Sequence, residues 1–302
     1  MSSEAFPRQL AVLVLASLAC AFAGNHIAAR VAFDSGAGLL LAILFRSGVT
    51  MVVLAALVLW RRESLRLAPC TVYWQILMGL LIAIQSFCIY SAVALIPVGL
   101  ALLVVNLSPA FLALLTVLLG GPAPTRRDIF LMVGILFGLC LALDILALFV
   151  GHAGVDGRWL AGVLFALCGA AIFAGAMWIS ENRLSRMAGT VRSLLTMVVV
   201  FLSAAIVGAV GLVPGGLASP TGNAGWLSLG VLALLYGVAF STLFICMPRL
   251  DIARNAPVMN VEPVAGLILG WLLLDQRLSA IQLLGGGLVV AGIVLLAYRH
   301  RT

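Results

Sequence analysis

Two full charges stand where charges are expensive. Glu262 directly precedes Pro263 in the run "NVEPVAGLILGWLLLD" (260–275), and Arg46 sits inside "LAILFRSGVT" (41–50). A charge near the bilayer centre costs about 2.5–3.5 kcal/mol on insertion scales, so each is expected to face protein or water and to have a partner. Two readings of Glu262 stay open. It takes part in gating, proton exchange or binding of a substrate ammonium, or it is structural, paired with Arg46 or capping backbone groups freed by Pro263. At about 100° per residue, Asn260 shares a helix face with Pro263, Leu267 and Trp271, while Glu262 points about 200° away with Gly266 and Leu269. With Asn260 and Trp271 taken as the cavity face, Glu262 turns to a neighbouring helix, which favours the structural reading.

Other polar and aromatic residues inside apolar runs are candidates to line a small-molecule cavity, because such sites combine aromatic burial with a few orienting polar groups. They are Phe22, Asn25, His26, Gln85, Tyr90, Asn106, Trp178, Tyr236, Asn260 and Trp271. Each aromatic has helix packing or an interfacial belt as its alternative. His26 is either a pH-responsive group or a neutral donor to a neighbouring helix. Asp144 is read as interfacial. Pro109 and Pro263 are candidate helix hinges. The six cysteines (20, 70, 88, 140, 168, 246) have no C-x-x-C spacing and read as apolar fillers. No metal site, cofactor motif, H-E-x-x-H, G-x-S-x-G or phosphate-binding glycine loop is found, so ATP is not expected as the direct energy source.

The elements that position these residues follow from composition. With 64% hydrophobic and 9% charged residues and a mean hydropathy of +1.24, the 302-residue chain reads as an all-α integral membrane protein. Ten runs are long enough to cross: 9–29, 37–60, 71–93, 97–119, 128–149, 158–180, 190–212, 226–248, 254–274 and 280–298. All 17 basic positions are Arg. An N-in, C-in topology puts thirteen on the cytoplasmic side and only Arg30, Arg158 and Arg277 outside, with Arg46 left in a helix. The net charge of +7 is thereby a matter of topology, and no nucleic-acid partner is expected. The first run has Arg8 before it and "AFAG" (21–24) at its end, as a signal peptide would. However, the "IFAG" match at 172–175 reads it as a retained helix.

That match lies at an offset of 151. At 154, "NLSPA" (106–110) falls on "NVEPV" (260–264), Thr125 on Ser279 and Gly138 on Gly292. The expectation is two halves of five helices, 8–149 and 158–299, entering the membrane from opposite sides as inverted repeats around a central site. Phe22, Asn25 and His26 fall opposite Phe173, Ala176 and Met177, polar in one half and apolar in the other, as a chemically asymmetric substrate requires. "GILFG" (134–138) and "GGG" (285–287) offer close helix contacts in the two halves.

The stretches 90–121 ("YSAVALIPVGLALLVVNLSPAFLALLTVLLGG"), 255–296 and 41–50 resemble the helix patterns of the drug/metabolite transporter superfamily, EamA type, most specifically in Glu262-Pro263 with Gln282 and Gly285. Within it the chain is most similar to the aromatic amino-acid and methyl viologen exporter branch. It departs in Ala23-Gly24, where the family often has Trp-Gly, and in Gly120-Gly121 and Leu274-Asp275, where it has Gly-Glu. The resemblance implies a ten-helix secondary transporter of the bacterial inner membrane that exports small metabolites, aromatic or large neutral amino acids foremost. Its expected partners are membrane lipids and the substrate, with a monomer as the unit. The availability of Arg46 as a partner for Glu262 inclines the expected mechanism to uncoupled movement down a gradient. A proton-coupled exporter of cationic drugs, and an intramembrane enzyme or scaffold, are the competing readings.

Overall fold

The computed structural model describes residues 6–65, 69–120, 125–142, 157–246, 250 and 256–297. Asp144 lies outside them. Among the described residues the chain is helical throughout: α1 (Arg8–Asp34), α2 (Leu39–Arg61), α3 (Pro69–Leu95), α4 (Val98–Val105), α5 (Ser108–Leu118), α6 (Arg126–Ala142), α7 (Gly157–Asn182), α8 (Gly189–Val210), α9 (Gly222–Cys246), a 3-10 turn (Ala256–Asn260), α10 (Val261–Leu274) and α11 (Ala280–Ala297). Seven segments are long and apolar enough to cross a membrane, α4 and α5 counting as one of them. Three shorter apolar helices lie at Ile129–Ala142, Val258–Leu274 and Ala280–Leu295.

Two of the expected spans are broken, and at matched positions. The run 97–119 divides at Asn106, and 254–274 divides at Asn260, both asparagines having φ −69° and ψ 0°. The cause is the proline three residues on, which has no N–H for the carbonyl four residues before it. In the first break the Ser108 hydroxyl donates to the freed Val105 carbonyl, and Asn106 Nδ2 donates to Leu102 O at 2.9 Å.

Every residue of α4 is buried, as an element apolar on all sides must be. It packs against α3, α7 and α10. Close approach at its crossing with α10 depends on missing side chains: a Cβ on Gly99 would meet Leu267, and one on Gly266 would meet Leu102. At the α6–α11 crossing, a Cβ on Gly285 would stand 2.3 Å from Ala142 N and 2.5 Å from Gly138 O. The small-residue contact there is between Gly138 and Gly285, whereas Gly134 and Gly287 face open space.

The packing partners recur across the chain. As α1 packs on α9, so α7 packs on α3, and as α2 packs on α9, so α8 packs on α3. The pairs α2–α8, α6–α11 and α4–α10 complete the bundle. One end is closed by backbone. Gly38 N donates to Ala218 O at 2.9 Å, Leu41 N to Gly216 O at 3.0 Å and Thr221 N to Ser35 O at 2.8 Å, joining the α1–α2 turn to the α8–α9 loop. At the same end two side chains grip the α3–α4 turn. Arg30 Nη1 donates to Val93 O at 2.9 Å, and Gln276 Oε1 accepts from Val98 N at 3.0 Å. Asp275, left-handed at φ 50°, turns the chain so that Gln276 N closes on Gly270 O.

Candidate functional site

A cavity of about 540 Å³ lies among α1, α2, α3, α4, α5, α7, α8, α9 and α10. None of its lining comes from the closed end, and in the other direction it reaches Ser180, Glu181 and Arg192 where α7 passes to α8. Glu181 is exposed there. Its wall is mostly apolar and includes Phe22, Phe173, Phe240, Met78, Met177 and Met197.

Arg46, His26 and Glu262 gather at its inner end. Arg46 is 4% exposed. Its Nη2 donates to Ser86 Oγ at 2.5 Å, and its guanidinium carbon lies 4.8 Å from the Tyr90 ring centroid and 4.4 Å from that of Tyr236. Such cation–π contacts are worth about 2 kcal/mol each when desolvated. Arg46 Nε has no acceptor. Glu262, whose side chain is 20% exposed, has its Oε1 3.9 Å from His26 Nε2. His26 is buried with Nδ1 unpartnered. Among the described residues no ion pair joins Glu262 to Arg46.

Of the candidates, Phe22, His26, Gln85, Asn106 and Tyr236 line this cavity, together with Arg46, Glu262 and Pro109. Asn25 and Tyr90, each 0% exposed, stand behind the wall: Tyr90 Oη donates to Asn25 Oδ1 at 3.2 Å, fixing the ring beneath Arg46. Trp178 is not in the lining. Arg183 lies over Trp74 and Trp178, at 4.8 and 5.7 Å, near the end of α7. Asn260 ends the 3-10 turn and also lies outside the lining. Pro263 is buried in α10 behind it.

Trp271 is the clearest correction. It is 58% exposed and borders a separate surface groove with Leu267, Gln276 and Arg277. Nine residues past Glu262, it stands about 13 Å further along the helix, beyond the cavity. The expected Glu262–Arg46 pair is likewise absent, because the guanidinium is taken up by Ser86 and two tyrosines.

Sequence reading missed Ser86, Met197, Phe240, Ser108, Glu181 and Arg192. Ser108 had a signal, as it falls opposite Glu262 in the matched Asn-x-x-Pro segments, and both line the cavity. Phe22 and Phe173, His26 and Met177, Arg46 and Met197, Gln85 and Tyr236, Ile89 and Phe240 are further lining pairs 151 residues apart. In three of these the first half supplies the polar or charged member. Among the described residues no three His, Cys, Asp or Glu side chains come together as a metal site would need.

Residues 160–298 match the EamA-like transporter family. This EamA match covers the α7–α11 half, which carries Glu262, Tyr236 and Phe240. A solved structure described only as "Crystal structure of protein" shares 22% identity over 97% of this chain and 100% of its own, with a TM-score of 0.65, a likeness of fold. No curated protein matches. The EamA match and the ten apolar segments make this a multi-pass membrane protein.

Proposed function

We propose that the chain is a secondary transporter of the bacterial inner membrane that exports small amphipathic metabolites, aromatic and large neutral amino acids foremost, by alternating access. The observation that carries this reading is a central cavity with Arg46, His26 and Glu262 at its inner end, reaching one end of the bundle while hydrogen bonds close the other. Its volume falls within the range of small-molecule sites. Its aromatic and thioether wall suits an apolar side chain.

The reading divides the chain at 8–149 and 158–299 as inverted repeats, N-terminus and C-terminus inside. Support comes from the identical breaks at Asn106 and Asn260, the five lining pairs 151 residues apart and the recurrence of helix pairings. Rocking of one half on the other then opens the closed end and closes the open one. The single chain forms the cavity, which agrees with a monomer among membrane lipids.

Counterflow in proteoliposomes tests the proposal: vesicles preloaded with unlabelled phenylalanine should take up labelled phenylalanine saturably without an ion gradient. Absence of uptake from folded protein would overturn it. A second reading has one observation in its favour. Glu262 borders the cavity and has no Arg partner among the described residues, so Arg46 gives no support to uncoupled movement, and a proton-coupled exporter of cationic drugs is the second reading. Uptake of a lipophilic cation driven by a pH gradient and lost in Glu262→Gln, without amino-acid counterflow, would select it.

A further inference from the structure

Arg46 is a fixed cation without a counter-ion among the described residues. No carboxylate oxygen lies within 4.0 Å of it among the described residues, because Glu262 turns to His26. Neutral groups hold it instead: Ser86 Oγ on Nη2 and the ring faces of Tyr90 and Tyr236. Aromatic faces attract the cation but neutralise nothing, and its Nε–H is left without an acceptor although the residue is 96% buried. A buried charge with an incomplete hydrogen-bond set is costly unless something arrives to pair with it. Arg46 also borders the cavity, and a guanidinium matches a carboxylate edge to edge with two parallel hydrogen bonds.

The remaining charge in this part of the cavity has the opposite sign. Glu262 lines it from α10, and Arg46 from α2, with Tyr236 of α9 also in the lining. We propose that Arg46 is the receptor for the carboxylate of the transported molecule, and that Glu262 takes its cationic end. This rests on the transporter reading above and narrows it to substrates carrying a carboxylate, zwitterions before simple amines.

Three ligands of one shape separate the charges: phenylalanine, phenethylamine, which lacks the carboxylate, and 3-phenylpropionate, which lacks the ammonium. Their affinities for the purified full chain in detergent are to be measured by calorimetry up to millimolar concentration, alongside counterflow. The wild type should bind phenylalanine at least about tenfold more tightly than phenethylamine. Arg46→Gln should remove that preference, weakening phenylalanine while leaving phenethylamine within about threefold, and Arg46→Lys should recover part of it.

Equal binding of phenylalanine and phenethylamine by the wild type overturns the proposal whether or not the variant folds. So does an Arg46→Gln protein that weakens both by the same factor, or failure of all three ligands to bind. A wild type that exchanges phenylalanine but ignores the carboxylate retains the transporter reading and loses this one. A wild type that exchanges no amino acid yet binds 3-phenylpropionate through Arg46 does the reverse.

Discussion

Glu262 Oε1 stands 3.9 Å from His26 Nε2, so the carboxylate of α10 lies against α1, and among the described residues no ion pair joins it to the guanidinium of α2. This leaves an acid and a base bordering one cavity without cancelling each other.

Glu262→Gln keeps the shape of the side chain and removes its charge. Because the residue lines the cavity, phenylalanine counterflow should fall by about tenfold or more, the scale of one charge-assisted hydrogen bond, while the melting temperature in detergent changes little. A variant that melts far lower and transports normally per folded molecule would return Glu262 to a purely structural role.

Phe240 and Trp271 are both large aromatic residues of the EamA-matching half, but only Phe240 faces the cavity, stacked 5.3 Å from Tyr236. Phe240→Ala should raise the half-saturating phenylalanine concentration severalfold, whereas Trp271→Ala, on the exposed surface, should leave it within about twofold. Counterflow over a concentration series in both variants checks the contrast.

Glu262 and Trp271 show what is legible in the sequence and what is not. The apolar runs, the paired Asn-x-x-Pro segments and most of the cavity's first-helix face follow from periodicity and internal matching. The direction of Glu262 did not. The wheel's separation of the two faces holds, since Glu262 lines the cavity while Asn260 and Trp271 do not, but a wheel does not say which face turns inward, and taking Asn260 and Trp271 as that face turns Glu262 away. Depth was hidden too, since a wheel projects Trp271 onto Asn260 without regard to the distance between them. The partners of Arg46 were out of reach for another reason: Ser86, Tyr90 and Tyr236 come from other helices, and no spacing within α2 encodes them.

Glycines at one crossing give a stability test. Gly285→Ala would push a methyl against the backbone of α6, and overpacking of this kind costs about 1–3 kcal/mol. Gly287→Ala meets nothing within 4 Å and should be neutral or stabilising by up to about 1 kcal/mol through helix propensity. Thermal unfolding of the two variants in the same detergent should therefore move in opposite directions or in one only, with Gly285→Ala the lower.

Alternating access requires the closed end to open. Thr221 N and Oγ1 both donate to Ser35 O, at 2.8 and 3.0 Å, so Ser35→Cys and Thr221→Cys can be joined by a short reducible cross-linker. The six native cysteines would be replaced by alanine or serine to leave this pair alone. Counterflow before cross-linking, after it and after reduction is the measurement that bears most directly on a central cavity serving each side in turn. Exchange that stops on cross-linking and returns on reduction is the predicted result. Exchange that continues at the same rate through a fully cross-linked protein would contradict it.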